Sequence, residues 1–449
     1  MENIKVSVLI YVLNGGKYIE RCVQSVVNQS LKEIEILLID GGSTDGTLDI
    51  LDRFAAKDER IKILHTPSGV GLQFNTGLKA AQGKYIGICE SDDYLLEDMY
   101  QVQYDVMEKH QLDMLKADFK QFCQLGDREE VFLYGCSKDA SLYNRILKPQ
   151  EDDSLLKLGI NGFWSGLYRR EFLLDQKIFM NETKGASYQD STFAFFAAAK
   201  ARRAYLMKDA FYYYRIDNPD SSSNKLDRMG LVAEEYRLLK ERLIEEGIFE
   251  KNKGCYILWK VKAHLWYYES LSQEVKAQYA KIMYEDLREE FEATEYADIM
   301  PEARVRTFLE RGRESRESMY GYLQELDGLM DSVNDAITGI EAERSIVIFG
   351  VGNVGTLVWW YMRYLNKKVT AFCDNNQSVW GTKNQDVMIL PPEEACRRYP
   401  DAKYIVANVA HYQDIGDQLK GLGIRKEDII FCNTYEYFLK KVLVLAMKE

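Results

Sequence analysis

Apolar and polar positions along the first 120 residues follow two alternating periods. Val6 to Leu13 is a continuous run, apolar but for Ser7, the mark of a strand buried on both faces. Tyr18 to Val27 then carries apolar groups at helical spacing, with Asn14 as a candidate cap before it. The pair of patterns recurs. It predicts strands over Ile34 to Ile39, Ile61 to His65 and Tyr85 to Cys89, and helices over Leu48 to Ala56 and Leu72 to Ala81. Strand and helix in strict turn predict an α/β fold with a mostly parallel, doubly wound sheet. Two acidic loops leave strands in this stretch: Asp40-Gly41-Gly42-Ser43-Thr44-Asp45-Gly46 and Glu90-Ser91-Asp92-Asp93. Ligands of such sheets bind at the carboxyl ends of strands, so both loops lie where a site is expected.

The pattern changes twice further on. Residues 120 to 220 are less regular and rich in aromatics, ending in Tyr212-Tyr213-Tyr214-Arg215. From 226 to 340 the spacing is helical, with charge on one face and apolar groups on the other, as in Glu234-Glu235-Tyr236-Arg237-Leu238-Leu239-Lys240. A second α/β unit begins near Arg344. Strand Ser345 to Phe349 runs into Gly350-Val351-Gly352-Asn353-Val354-Gly355, then a helix, then strand Val369 to Cys373. The expected organisation is therefore 1–225, an α/β domain; 226–340, a helical region; and 341–449, a small Rossmann-like α/β domain.

Composition narrows the function. The 449 residues carry a net charge of -12, which argues against nucleic acid or an anionic membrane as a general partner. With 46% hydrophobic and 29% charged residues the chain reads as a soluble globular protein. The 8 cysteines are scattered and include no CxxC pair, so reduced, buried thiols in a cytoplasmic protein are expected. Four histidines make a histidine-built zinc site a poor fit. No apolar run reaches the roughly 18 residues of a membrane span. Met1-Glu2-Asn3-Ile4-Lys5 leads into a strand without a signal-peptide pattern.

Glu90 and Asp92 are two residues apart at a strand end and so point to one side. Two hard carboxylates there suit magnesium or manganese, bridging to phosphate oxygens. The alternative is a polar strand end before the helix that follows Asp98.

The opening Val6-Ser7-Val8-Leu9-Ile10, Asn14-Gly15-Gly16-Lys17-Tyr18-Ile19 and Ser25-Val26-Val27-Asn28-Gln29-Ser30 resembles that of family 2 glycosyltransferases. Glu35 to Thr47 resembles their second motif. Asn75-Thr76-Gly77-Leu78 and Ala81-Gln82-Gly83-Lys84-Tyr85-Ile86 follow in the family's order, and Glu90-Ser91-Asp92-Asp93-Tyr94-Leu95 resembles its DxD segment. The resemblance covers about residues 4 to 220. It implies a GT-A (nucleotide-diphospho-sugar transferase) fold and inverting transfer of sugar from a nucleotide-sugar donor, a UDP-sugar, with a divalent cation. It implies donor contacts at Tyr11, Asn14, Asp40, Asn75, Glu90 and Asp92, with Asp40 on the uracil edge and Asp92 and Glu90 on the metal. The Gln189-Asp190 pair matches the family's acidic pair, whose Asp is the general base; such a carboxylate takes the proton of an acceptor hydroxyl as the bond forms. Asp190 also stands where an N-cap would precede an apolar helix. Trp164 and Gln189 are candidates for the acceptor side, with a core role equally open for Trp164. Asp45 reads as a cap for the helix from Thr47. Leu13 replaces the family's usual base-stacking Tyr, Phe74 an Arg, and Gly41 a second Asp.

Gly350, Gly352 and Gly355 follow a strand and open a helix, and Asp374 falls where a ribose-binding acid would sit. A nucleotide at that helix N-terminus and glycines kept for close packing are both open readings. The leading function is thus a glycosyltransferase of cell-surface polysaccharide biosynthesis, its acceptor a saccharide or lipid-linked glycan reached by peripheral contact with the inner membrane face. The alternatives are an NAD-dependent or nucleotide-binding enzyme centred on the glycine motif, and a glycan-binding protein without catalysis.

Overall fold

The computed structural model describes residues 4–159, 162–184, 188–221, 229–293 and 302–447. The boundary expected at 225/226 lies outside them. The chain forms two compact units, one of residues 1–122 and 133–320, the other of 123–132 and 321–449.

The first unit opens with β1 (Val6–Val12), α1 (Ile19–Val27), β2 (Ile34–Asp40), α2 (Thr47–Ala55), β3 (Ile61–His65), α3 (Val70–Ala80) and β4 (Tyr85–Ile88). There follow β5 (Tyr94–Leu95), α4 (Met99–His110), β6 (Met114–Ala117), and the hairpin β7 (Phe119–Leu125) and β8 (Arg128–Tyr134). Next come β9 (Ile146–Leu147), α5 (Ser154–Lys157), β10 (Leu167–Arg169), α6 (Arg170–Asp175), α7 (Gln189–Lys200), β11 (Ala204–Met207) and β12 (Tyr212–Arg215). A helical stretch ends the unit: α8 (Leu231–Glu245), α9 (Phe249–Ser270), α10 (Gln273–Asp286), α11 (Arg288–Glu292) and α12 (Ala303–Glu314), with α13 (Arg316–Thr338) leading on.

The main sheet has the order β3-β2-β1-β4-β10-β6-β11-β9. Strands β1, β2, β3 and β4 are parallel, as the alternating pattern predicts, and β10 runs antiparallel between β4 and β6. All seven residues of β1 and of β2 are buried. Burying each aliphatic side chain contributes on the order of 1.5–3 kcal/mol. The carboxyl ends of β1, β2 and β4 come out on one edge, with Val12 opposite Asp40 and Leu9 opposite Ile88.

That edge is built tightly. A Cβ on Gly71 would lie 1.9 Å from the Asn181 carbonyl, so α3 can approach the 180–182 loop only because residue 71 is glycine. Beyond it, Phe74 meets Phe193 of α7 edge to face at 4.9 Å. Asn14 does not cap α1. It takes a left-handed φ of 53°, and its Oδ1 accepts the Thr44 amide at 2.8 Å, tying the first loop to the second. Asp45 does secure the start of α2, accepting from the Thr47 amide at 3.1 Å.

The second unit contains β13 (Ile346–Phe349), α14 (Asn353–Tyr364), β14 (Val369–Cys373), β15 (Lys383–Asn384), β16 (Val387–Leu390), α15 (Pro392–Arg398), β17 (Lys403–Val406), α16 (Tyr412–Gly421), β18 (Ile429–Phe431) and α17 (Tyr435–Ala446). Its strand order is β15-β16-β14-β13-β17-β18 around a buried core that includes Val347, Phe349, Tyr404 and Val406. All eight cysteines are free and buried. Among the described residues no helix is long and apolar enough to cross a membrane.

Candidate active site

Segments far apart in sequence meet at the carboxyl edge of the main sheet. Tyr11, next to the end of β1, donates its hydroxyl to Glu90 Oε1 at 3.3 Å. Tyr212 of β12 donates to Asp93 Oδ2 at 2.6 Å and accepts the Glu90 amide at 2.9 Å. Arg215 gives its amide to Asp93 Oδ1 at 2.7 Å and its Nε to the Asp92 carbonyl at 3.0 Å. Asn218 Nδ2 donates to Asp92 Oδ2 at 2.7 Å. The acidic loop is therefore held from behind by β12, and Asp93 is its structural anchor.

The electrostatics bring in Asp190. Burial, and then the charges of Asp92 and Asp190, push the Glu90 carboxyl up to about 8. Burial also raises Asp92, with the Asn218 hydrogen bond acting against it. Asp93 is raised well above the usual carboxylate range by burial and by the Asp92 and Glu90 charges. Arg215, the cation beside the loop, is itself paired with Asp217 at 3.0 Å. The edge thus holds a surplus of acidic groups, whose burial and mutual repulsion push Glu90, Asp92 and Asp93 toward the protonated form.

That surplus bears on whether the residues fit a divalent cation. Among the described residues, no three His, Cys, Asp or Glu side chains gather closely enough to hold an ion by themselves. Magnesium-type ions need only one or two protein carboxylates when substrate phosphates complete the shell. Glu90 and Asp92, largely buried and repelling one another, fit that role.

Residues 7–172 match the family model for glycosyl transferase family 2. This region belongs to the family 2 glycosyltransferases. Its relatives include the uncharacterized glycosyltransferase EpsJ of Bacillus subtilis, 33% identical over 223 residues, which are 48% of this chain and 62% of EpsJ. The cholesterol galactosyltransferase of Borreliella burgdorferi is 28% identical over 260 residues, 56% of this chain and 71% of that protein. The chain thus spans less than two thirds of the length of EpsJ. The crystal structure of S. aureus TarS 1–349 with UDP-GlcNAc superposes with a TM-score of 0.55 at 21% identity, covering 72% of this chain and 92% of that one. The fold is GT-A.

Several residues matched to the glycosyltransferase motifs do different work from that expected. Asn75 is buried and spends its amide on the 180–182 loop, donating to the Met180 carbonyl and to Glu182, each at 2.9 Å, and accepting the Met180 amide at 3.0 Å. These bonds make Asn75 a support of the 180–182 loop. Gln189 is buried too, with Nε2 on Thr183 Oγ1 at 2.8 Å. Trp164 is 5% exposed and stacks on Tyr212 at 4.1 Å and on Tyr214 at 5.0 Å, which is a core position behind the acidic loop. Asp40 turns into its own loop, accepting the Gly42 amide at 2.9 Å and the Ser43 amide at 3.1 Å.

Asp190 is not the N-cap of α7. Tyr188 holds that place with a left-handed φ of 66°, and Asp190 lies in the first turn, where its Oδ1 accepts the Ser191 amide at 2.8 Å.

Arg215-Ile216-Asp217-Asn218 reads from sequence as a segment bordering the diphosphate or closing a strand, and Asn218 lies on Asp92; the sequence reading missed Tyr212, Tyr214 and Glu235. Tyr214 is half-buried, its hydroxyl raised well above the usual phenol range by desolvation and by the Glu90, Asp93, Asp92 and Asp190 charges. The run Tyr212-Tyr213-Tyr214-Arg215 was visible, but its pairing with the acidic loop is a tertiary fact.

In the second unit, Gly350 and Gly355 are required by packing. A Cβ on Gly350, whose φ is +111°, would meet the Ala407 carbonyl at 2.7 Å, and one on Gly355 would meet the Gly350 carbonyl at 2.1 Å. Gly352 is the N-cap of α14. Asp374 reaches back to the glycine loop, accepting the Val351 amide at 3.1 Å.

Proposed function

We propose that the protein is an inverting glycosyltransferase that moves a sugar from a UDP-sugar to a hydroxyl of a saccharide or lipid-linked acceptor in cell-surface polysaccharide synthesis. The observation that carries this reading is the gathering of Tyr11, Glu90, Asp92 and Asp93 at the carboxyl edge of the sheet, tied together by Tyr212 and Asn218, with the Asp190 charge acting on Glu90. TarS, which shares the fold, has been crystallised with UDP and with UDP-GlcNAc, which supports a uridine donor.

In this reading the acceptor oxygen attacks the anomeric carbon as the bond from that carbon to the diphosphate oxygen breaks. The hydroxyl proton passes to the Asp190 carboxylate, and a single displacement inverts the centre. Asp40 accepts the imide N–H of the base; a carboxylate has about four acceptor positions, so this adds to its loop bonds without replacing them. Tyr11 keeps Glu90 oriented toward the donor. Glu90 and Asp92 would hold manganese or magnesium, which when bound offsets the charge of the departing diphosphate. Residues 1–225 would form the catalytic domain, 226–340 its helical support and 341–449 an accessory domain.

The test is hydrolysis of separate UDP-, GDP- and TDP-sugars by the purified chain, read as release of the nucleoside diphosphate. Turnover of a UDP-sugar is expected. Turnover of none of the three would overturn the reading.

A further inference from the structure

The second unit carries a cleft that the transferase chemistry does not use. The chain winds outward from β13 through β14 to β16, then crosses to the other side of β13 and continues through β17 to β18. The direction of winding therefore reverses between β13 and β17. In open α/β sheets, the crevice outside the strand ends at such a reversal is where ligands bind. A cleft of about 290 Å³ lies there. Its lining comes from Gly350 after β13, Asp374 and Asn375 after β14, Asn408 after β17, and Asp414 and Gln418 on α16.

The chemistry of this lining is unlike that of a dinucleotide site. No lysine or arginine is among the described residues that line it. The Val351 amide, the glycine-loop donor a diphosphate would use, is already taken by Asp374 Oδ2 at 3.1 Å. A phosphate there would displace one carboxylate and face another at Asp414. The polar side chains present are two carboxylates, three carboxamides and the His411 imidazole, which lies 3.6 Å from Asp414. Asn375 and Gln418 pair their amides reciprocally, at 3.0 and 2.9 Å, leaving one N–H on each for a ligand. Asn408 spends its Oδ1 on the Ala410 and His411 amides, at 3.0 and 2.7 Å, and its Nδ2 has no protein partner among the described residues. Planar groups that both donate and accept at short spacing match pairs of neighbouring hydroxyls.

We propose that this cleft binds an uncharged sugar ring through its hydroxyls. The identification of that ring as part of the glycan being extended rests on the transferase reading; the binding itself does not.

The experiment is saturation-transfer NMR on the full chain with methyl α-glucoside, methyl α-galactoside and methyl N-acetyl-α-glucosaminide, and with UDP and NAD as separate probes. An Asp414→Ala/Gln418→Ala variant alters two positions on the rim of the cleft. Ring-proton signals from at least one glycoside are expected in the native chain and are lost in the variant, while UDP signals are the same in both. Three outcomes overturn the proposal: no glycoside signal, a glycoside signal that the variant keeps, or NAD signals that the variant abolishes. Missing UDP signals beside an intact glycoside result would count against the donor reading alone.

Discussion

Thr192, two residues beyond Asp190, donates its hydroxyl to the Glu235 carboxylate at 3.2 Å. Glu235 comes from α8 and is fully buried. It also accepts from Asn181 Nδ2 at 2.7 Å and from Thr183 Oγ1, and Thr183 in turn receives Gln189. Burial raises its carboxyl, with the three donors pulling the other way. One side chain of the helical region thus fixes both the loop before α7 and the first turn that carries Asp190. Glu235→Gln is expected to lower kcat on the order of tenfold to a hundredfold through misplacement of Asp190, with KM for the donor nearly unchanged. Glu235→Asp should recover part of the loss. Full kcat in a folded Gln variant would show that the hub does not position the base.

Asp190→Asn keeps size and an acceptor oxygen, so the first turn of α7 survives. It cannot take a proton. Transfer should fall about a hundred- to ten-thousand-fold. UDP affinity, measured by calorimetry, should change little, because the contacts proposed for the nucleotide are at Asp40 and the acidic loop. Near-normal transfer by a stable variant would reduce Asp190 to a helix-start residue.

Asp92→Asn should behave differently. It removes one charge from the pair that fits a divalent cation, and Asn218 already occupies one oxygen of that carboxylate. Calorimetry of UDP should show tighter binding with manganese than with chelator in the native chain, and a smaller difference in the variant. Equal affinity with and without metal in the native chain would remove the metal role from Glu90 and Asp92.

Much of the site's framework was legible because its signals are local. The apolar runs that became β1 and β2 are buried on both faces whatever surrounds them, and the acidic loops after β2 and β4 follow from strand ends. The roles of Asn75, Gln189 and Trp164 were not legible. Each is polar or aromatic at a matched position, yet each is consumed by a partner distant in sequence: Met180, Thr183 and the Tyr212–Tyr214 strand. The same limit hid Glu235, which looks like one more charged position on an amphipathic helix until α8 packs under α7. The glycine motif misled in the opposite direction. Its spacing suggests a phosphate loop, while the Asp374 carboxylate that takes the Val351 amide is visible only after folding.

His264 offers a test of the helical region through pH. It is fully buried on α9, with Nδ1 against Tyr279 Oη at 2.7 Å and Nε2 against Asp286 Oδ2 at 2.8 Å. Lys260 lies beside it, 3.3 Å from Asp286 and 3.1 Å from Glu290. Burial holds the imidazole below its ordinary value of 6.5, against the pull of Asp286, and the Lys260 charge adds to the lowering. In the native state His264 therefore binds its proton at lower pH than in the unfolded chain. Above 6.5 both states are neutral and stability is unaffected by it; as pH falls below 6.5 the unfolded chain gains a proton first and stability drops. The limiting slope for one proton is about 1.4 kcal/mol per pH unit. Asp286, held below the usual carboxylate value, adds its own loss only in more acidic solution. The raised carboxyls Glu90, Asp92, Asp93 and Glu235 gain stability on acidification, so the His264 effect is read as a difference: between about pH 8 and about pH 5 the denaturant midpoint of the native chain should fall relative to that of His264→Gln, in which the other groups are unchanged. A midpoint difference from His264→Gln that stays level or grows in favour of the native chain on acidification would mean that the imidazole is charged in the fold and paired with Asp286.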